Sequence, residues 1–266
     1  MQHPNHNELV NLIQSWYTRS DDSLDIQVET RTYGFYTSRS IPLQPGDIHI
    51  IQAFPQADIP AFLADAKQYF PNQMVRIFIH NRQIDADLQA GFLEANCQRE
   101  NESVYLVHVG AAPAVVPIDG LQIEEVTAEN IFDYQWAKLK AFADCEDDPP
   151  KPDIESGLVL RMAELKGGVR FFVGRIEGQV AGIISWYPGM DRLLLHLGTR
   201  VPFRNRGIAN QLLCHAITDA YAHSCRSVML FTDPSDTPIE LYQRLGFTDE
   251  VYWMTQYRYQ PKVSEG

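Results

Sequence analysis

Apolar residues recur at helical spacing over residues 5–18, where Leu9, Leu12, Ile13, Trp16 and Tyr17 share one face and Asn5 with Glu8 forms a capping-box pattern. Strand-like runs follow at 25–33 and 47–54. A helical pattern at 59–70 puts Phe62, Ala66 and Tyr69 on one side. Alternation at 74–80 predicts a strand, 84–96 a helix and 103–109 a strand. After residue 120 the order is strand (121–127), helix (129–143), helix (154–165), then a hairpin of 169–176 and 179–186 turning at Glu177-Gly178. The run 192–199 is nearly all apolar, the pattern of a strand buried on both faces. A helix over 207–223, a strand over 227–232, a short helix over 237–245 ended by Gly246, and a last strand over 247–259 complete the chain.

Between the halves lies GAAPAVVPIDG, whose prolines, glycines and small residues predict a linker. The expected division is 1–112, linker 113–120, and 121–266. Both halves end in the same order, strand–helix–strand–helix–strand, which suggests a weak internal duplication.

Composition narrows the chemistry. With 45% hydrophobic residues the chain can bury sizeable cores, yet no stretch reaches the ~18 unbroken apolar residues of a membrane helix. No signal-peptide pattern opens it. The net charge of -12 argues against nucleic acid, whose binding draws on clustered cations. It suits a cationic small substrate, and solubility explains it as well. Cys97, Cys145, Cys214 and Cys225 lack paired spacing, which predicts free thiols in a reducing cytoplasm and no metal centre.

The string RNRGIA, Arg204 to Ala209, stands between the apolar strand and the 207–223 helix. The first turn of a helix has backbone N–H groups without partners, and its dipole favours an anion there. Gly207 and Ala209 would let a diphosphate approach that backbone, and Arg204 and Arg206 could add charge-assisted contacts. Alone the string is an ordinary helix start. The buried strand before it and a second string downstream, LYQRLGF (Leu241 to Phe247), tip the balance.

Together, R-x-x-G-x-A after a buried strand and LYQRLGF at a late helix resemble the GCN5-related N-acetyltransferase (GNAT) superfamily over residues ~120–260. The first half resembles that fold only in outline, with FPQADIP where the glycine loop would be. The implied fold class is α/β, with two GNAT-like domains, each a mixed, mainly antiparallel twisted sheet flanked by helices, the N-terminal copy degenerate. The implied function is transfer of an acetyl group from acetyl-CoA to a primary amine, on a small molecule or peptide. A non-catalytic coenzyme A-binding protein and a longer-chain acyltransferase remain alternatives. The resemblance further implies that the N–H groups of Asn205, Arg206, Gly207, Ile208, Ala209 and Asn210 hold the pyrophosphate. It also implies that Leu197, Gly198 and Thr199 pair with the pantetheine arm. It places Tyr242 beside the thioester sulfur and Ser235 or Asp236 where the family commonly has a cofactor-contacting asparagine. Family members are often homodimers; here the second domain could replace the partner.

His196, on the strand leading to that cleft, is a candidate base, and a satisfied core histidine is an equal reading. The family often has a glutamate nearby, and LLLHLGT has none. Asp233 is expected to cap the turn DPSD rather than touch substrate. The acidic loop 144–148 could attract an amine or simply be solvated. Its acidic neighbours make Cys145 a poor nucleophile. Trp186 and Tyr187 are expected to pack in the core rather than wall the acceptor.

Overall fold

The computed structural model describes residues 26–39, 46–81, 85–143, 154–187, 192–235 and 238–260, together with Glu8, Asn11, Leu12, Ser15 and Cys145. Most of the helix expected at 5–18 and the acidic loop 144–148, Cys145 apart, lie outside these residues. The chain forms two compact units. One gathers Met1–Leu12, Val107–Phe231 and Thr237–Asp249; the other gathers Ile13–Leu106, Thr232–Asp236 and Glu250–Gly266.

In the second of these, β1 (Ile26–Arg31) and β2 (Gly34–Arg39) form a hairpin, β2 pairs antiparallel with β3 (Gly46–Ile50), and β3 runs parallel to β4 (Val75–Asn81). Helix α1 (Ile59–Tyr69) joins β3 to β4, and α2 (Ala86–Glu94) leads to β5 (Gln98–His108). Aromatic and aliphatic side chains from alternate strand positions meet these helices in one core: Tyr36, Ile48, Ile50, Phe62, Phe70, Ile77 and Phe92. Such packing of an apolar sheet face on helical stripes is the main driving force available to the unit.

The last strand, β11 (Phe247–Tyr259), departs from the expected division. Its residues Trp253 to Tyr259 pair antiparallel with Asn81 to Val75 of β4, and Tyr257 enters the same core at 0% exposure. Glu250 onward therefore gathers with the N-terminal segment instead of with 121–249, because β11 completes the hydrogen bonding of β4. The sequence reading also missed β2, whose GFYTSR is short and broken by polar residues.

In the other unit, β6 (Gln122–Glu125), β7 (Arg170–Ile176), β8 (Gln179–Tyr187) and β9 (Arg192–Thr199) run antiparallel in that order, and β9 is parallel to β10 (Val228–Thr232). Helix α3 (Ile131–Ala141) packs on β8 and against α4 (Ile154–Lys166). Helix α5 (Ile208–Ala222) packs on β8 and β9, and α6 (Pro238–Arg244) precedes β11. A side chain on Gly198 would meet Ala141 of α3 at 2.8 Å, whereas one on Gly182 would meet Ile208 and Leu212 of α5. Gly198 pairs with Ile183, the neighbour of Gly182, so α3 and α5 cover opposite faces of the sheet. No helix among the described residues is long and apolar enough to cross a membrane.

Candidate active site

The site begins with an irregularity in β9. Ser185 pairs with His196, but Trp186 pairs with Leu194, so Leu195 is an extra residue on β9. Such a bulge bends the strand and strengthens its twist. On its other side β9 meets β10 only at Arg192↔Val228 and Leu193↔Met229 among the described residues. The parallel ladder thus stops short of the bulge, and His196 to Thr199 run on without a recorded partner in β10. Leu193 and Leu194 are buried, but residues 196–199 are half-buried. The apolar run was expected to be covered on both faces throughout; its second half is open because its neighbour parts from it.

Chain leaving this open half turns directly into α5. Arg200 fixes the exit, its Nη1 donating to Val180 O at 2.7 Å while its guanidinium lies over Trp136 at 4.4 Å. A short 3-10 turn, Val201–Phe203, follows. Asn205 (φ 60°) and Gly207 (φ 80°) then adopt left-handed conformations, which reverse the chain into the helix. The first helical bond runs from Gln211 N to Gly207 O at 3.2 Å. Ile208, Ala209 and Asn210 therefore present N–H groups that no earlier turn accepts, and no side chain caps them. No acidic residue stands in this first turn. Among the described residues a Cβ on Gly207 would meet only Ile118, at 3.6 Å, so there is open room around this position. Bare donors, a helix dipole and open room together fit a diphosphate.

The two arginines of RNRGIA differ. Arg204 donates from Nε to Thr199 O at 3.3 Å and from Nη2 to Ala141 O and Ala143 O at 3.0 and 3.3 Å. It therefore ties the carbonyls at the end of α3 to the end of β9. Arg206 is exposed, with its guanidinium 5.7 Å from the Phe203 ring centre.

On the α3 face of β9, His196 Nδ1 lies 3.0 Å from the fully buried Ser185 Oγ. Burial, reinforced by the positive charges of Lys138 and Arg161, holds this imidazole well below its ordinary pKa and so neutral. Those charges come from α3 and α4. Gly157 lets the helices close up, since a Cβ there would stand 2.0 Å from Gln135 Nε2. One turn further, Arg161 Nη1 and Glu164 Oε2 form an ion pair at 2.9 Å, with the residues 3% and 4% exposed. Burial and the charge of Arg161 push Lys138 down to about 7. Tyr134, buried beneath, is pushed up by its burial. The sequence reading missed this cluster. The signal available to it was Arg161 and Glu164 within the helical run 154–166, where Val159 is instead 59% exposed. Charged residues are seldom buried without a task.

Tyr242 is half-buried on α6, its ring edge-on to Phe247 with centroids 6.1 Å apart. Ser235 is exposed; its backbone N and its Oγ both donate to Asp233 Oδ1, at 2.7 and 2.6 Å. This is the turn cap expected of Asp233. It leaves the Ser235 hydroxyl donating within its own turn. Trp186 is core, stacked on Phe172 at 4.3 Å. A cleft of about 710 Å³ lies elsewhere, lined by Phe54, Asn81, Asp85 and Asp87. Asp85 there caps α2 by accepting from Leu88 N, an ordinary structural use.

Residues 129–247 match the Acetyltransferase (GNAT) family. A GCN5-related N-acetyltransferase from Kribbella flavida superposes with TM-score 0.70 at 12% identity, covering 99% of this chain and 98% of that one. The tandem GNAT protein from the clavulanic acid biosynthesis pathway gives 0.65 at 12% identity, covering 96% and 89%. A functionally unknown conserved protein from Staphylococcus epidermidis gives 0.64 at 17%, covering 90% and 96%. Residues 129–247 thus form a domain of the acetyltransferase (GNAT) family, in a chain with the α/β fold of two GNAT-like domains.

Proposed function

We propose that the protein transfers an acetyl group from acetyl-CoA to a primary amine in the cytoplasm. The observation that carries this reading is the parting of β9 from β10 at the bulge, directly upstream of an uncapped helix mouth. The donors of Ile208 to Asn210 would hold the diphosphate, and the backbone of Leu197, Gly198 and Thr199 would pair with the pantetheine arm as an added strand would. Acetyl-CoA supplies an activated acetyl group as its thioester. The amine nitrogen bonds to the acetyl carbon as the carbon–sulfur bond breaks. A backbone N–H in the open half of β9 stabilises the oxyanion between, a contribution worth about 3 kcal/mol where measured. His196, neutral and oriented by Ser185, or water beside it, accepts the proton that the attacking amine loses. The Tyr242 hydroxyl returns a proton to the leaving sulfur.

Among the described residues the N-terminal unit shows no second arrangement of this kind. There β3 and β4 pair without a bulge over Gly46↔Val75 to Ile50↔Ile79, and α1 starts with a proline at its first turn and no glycine. The test is release of free thiol from acetyl-CoA with a panel of primary amines. Turnover with at least one amine supports the reading. Tight coenzyme A binding without turnover would support the non-catalytic alternative, and turnover only with longer thioesters the other.

A further inference from the structure

A large aromatic side chain stands in water beside the open half of β9. Phe142 closes the last turn of α3 and is 59% exposed. A single exposed phenylalanine needs no explanation by itself. This one is held in place. Its N–H donates to Lys138 O at 3.2 Å. The carbonyls on either side of it, Ala141 O and Ala143 O, both accept from Arg204 Nη2, whose Nε donates to Thr199 O on β9. The end of α3 comes so near β9 that a Cβ on Gly198 would stand 2.8 Å from Ala141 Cβ, and 3.4 and 3.6 Å from Cε2 and Cζ of the Phe142 ring. One edge of the ring therefore lies against the strand at Gly198, and the rest of it faces solvent.

Geometry sets which partner the ring meets. Gly198 lies in the half of β9 that has parted from β10, where the thioester would run. The helix mouth that would hold the diphosphate belongs to α5, on the opposite face of the sheet from α3. The cofactor thus arrives from the α5 side, and the α3 side of the open edge is left to the acceptor. An apolar ring fixed there favours a partner that removes apolar surface from water, and it has no hydrogen bond to offer a polar one.

We propose that the acceptor carries an apolar group beside its amine, and that Phe142 is the residue that selects it. The acceptor class is then a primary amine on an alkyl or arylalkyl chain and not a polyamine or hydroxylated amine, despite the net charge of -12. This inference rests on the acetyl-transfer reading. Its chemistry is binding alone: the apolar body of the acceptor packs on the ring while its nitrogen reaches the thioester along the open half of β9.

The experiment compares ethylamine, butylamine, hexylamine and phenethylamine with ethanolamine and putrescine. Thiol release is measured with each on the full chain. Each amine is also titrated calorimetrically into the chain loaded with coenzyme A, and coenzyme A is titrated into the chain alone. The inference expects kcat/KM and affinity to rise at least about two-fold for each added CH2 from ethylamine to hexylamine. F142A should cut the ratio of hexylamine to ethanolamine at least ten-fold, through KM, while F142L keeps most of it. F142Q, of similar size and polar, serves if F142A does not fold. A flat series in the wild type, a preference for putrescine, or an unchanged ratio in folded F142A overturns the inference. So does an effect of F142A that falls equally on coenzyme A affinity, since the ring would then pack on the cofactor. Absence of turnover with every amine overturns the acetyl-transfer reading instead. The calorimetric arm then still decides the role of Phe142: hexylamine binding more tightly than ethanolamine, with the difference lost in F142A, supports it, and equal binding or none overturns it.

Discussion

Replacing Gly207 with aspartate should move fold stability and coenzyme A affinity by very different amounts. At φ 80° an ordinary L-residue costs about 1–2 kcal/mol, less for aspartate, whose short polar side chain tolerates the left-handed region. Sterically the change is mild, since the nearest atom to a Cβ is Ile118 Cδ1 at 3.6 Å. A carboxylate at the start of α5 also gains about 0.3–1 kcal/mol from the helix dipole. Stability should therefore change by under about 1 kcal/mol, a shift in Tm of about 4 °C or less. Toward a diphosphate the same carboxylate is a like charge. At about 5 Å and an effective dielectric near 20 the repulsion is about 3 kcal/mol, or roughly a hundred-fold in affinity. Salt screening at this exposed mouth reduces that, leaving at least about ten-fold at physiological ionic strength. Gly207→Ala is the control: it should lower Tm more than aspartate does and weaken binding less. Calorimetric titration of coenzyme A, with thermal melts of the same samples, reads both quantities. Wild-type affinity in folded Gly207→Asp would refute the reasoning.

Tyr242→Phe keeps the ring against Phe247 and removes only the hydroxyl; it should slow thiol release by about 10²-fold with KM for acetyl-CoA little changed, and an unaltered pH–rate profile would remove Tyr242 from the chemistry. Ser185→Ala removes the hydroxyl partner of His196 Nδ1 and should lower kcat several-fold without altering coenzyme A affinity; an unmoved kcat would show that His196 needs no such support. Acid should destabilise the fold from about pH 6.5 downward. Burial holds His80 at about 3 and lowers His108, His196 and His215, so below pH 6.5 the unfolded chain binds protons that the folded chain does not. Each such imidazole removes about 1.4 kcal/mol per pH unit until its folded pKa is reached; denaturant titrations giving the same stability at pH 5 and pH 7 would contradict this.

Local periodicity carried most of the elements. The hairpin at Glu177-Gly178 and the helices 59–70, 129–143 and 207–223 appear within a residue or two of their expected ends, because each has a sharp turn signal or a continuous apolar stripe. What the chain does at long range was not legible. The alternation of 247–259 predicts a strand but not its partner, and pairing with Val75–Asn81 depends on an edge some 170 residues away. The bulge at Leu195 leaves no mark in LLLHLGT, since an extra leucine among leucines has no compositional signature. At the site, Gly207 and the helix start could be read because left-handed turns select glycine. The bonds of Arg204 to the carbonyls of Ala141 and Ala143 were not legible, because they join residues some sixty positions apart and leave no local pattern. The burial of Arg161 and Glu164 depends on the close approach of α3 and α4 at Gly157, which local periodicity does not carry.

Hydrogen exchange of the full chain with and without coenzyme A bears most directly on the central claim, that an open strand edge and a bare helix mouth together hold the acyl carrier. The account predicts slowed exchange at the amides of 197–199 and 207–210, and unchanged exchange at 46–60. Protection confined to the N-terminal unit, or none in either region at saturating coenzyme A, would contradict it.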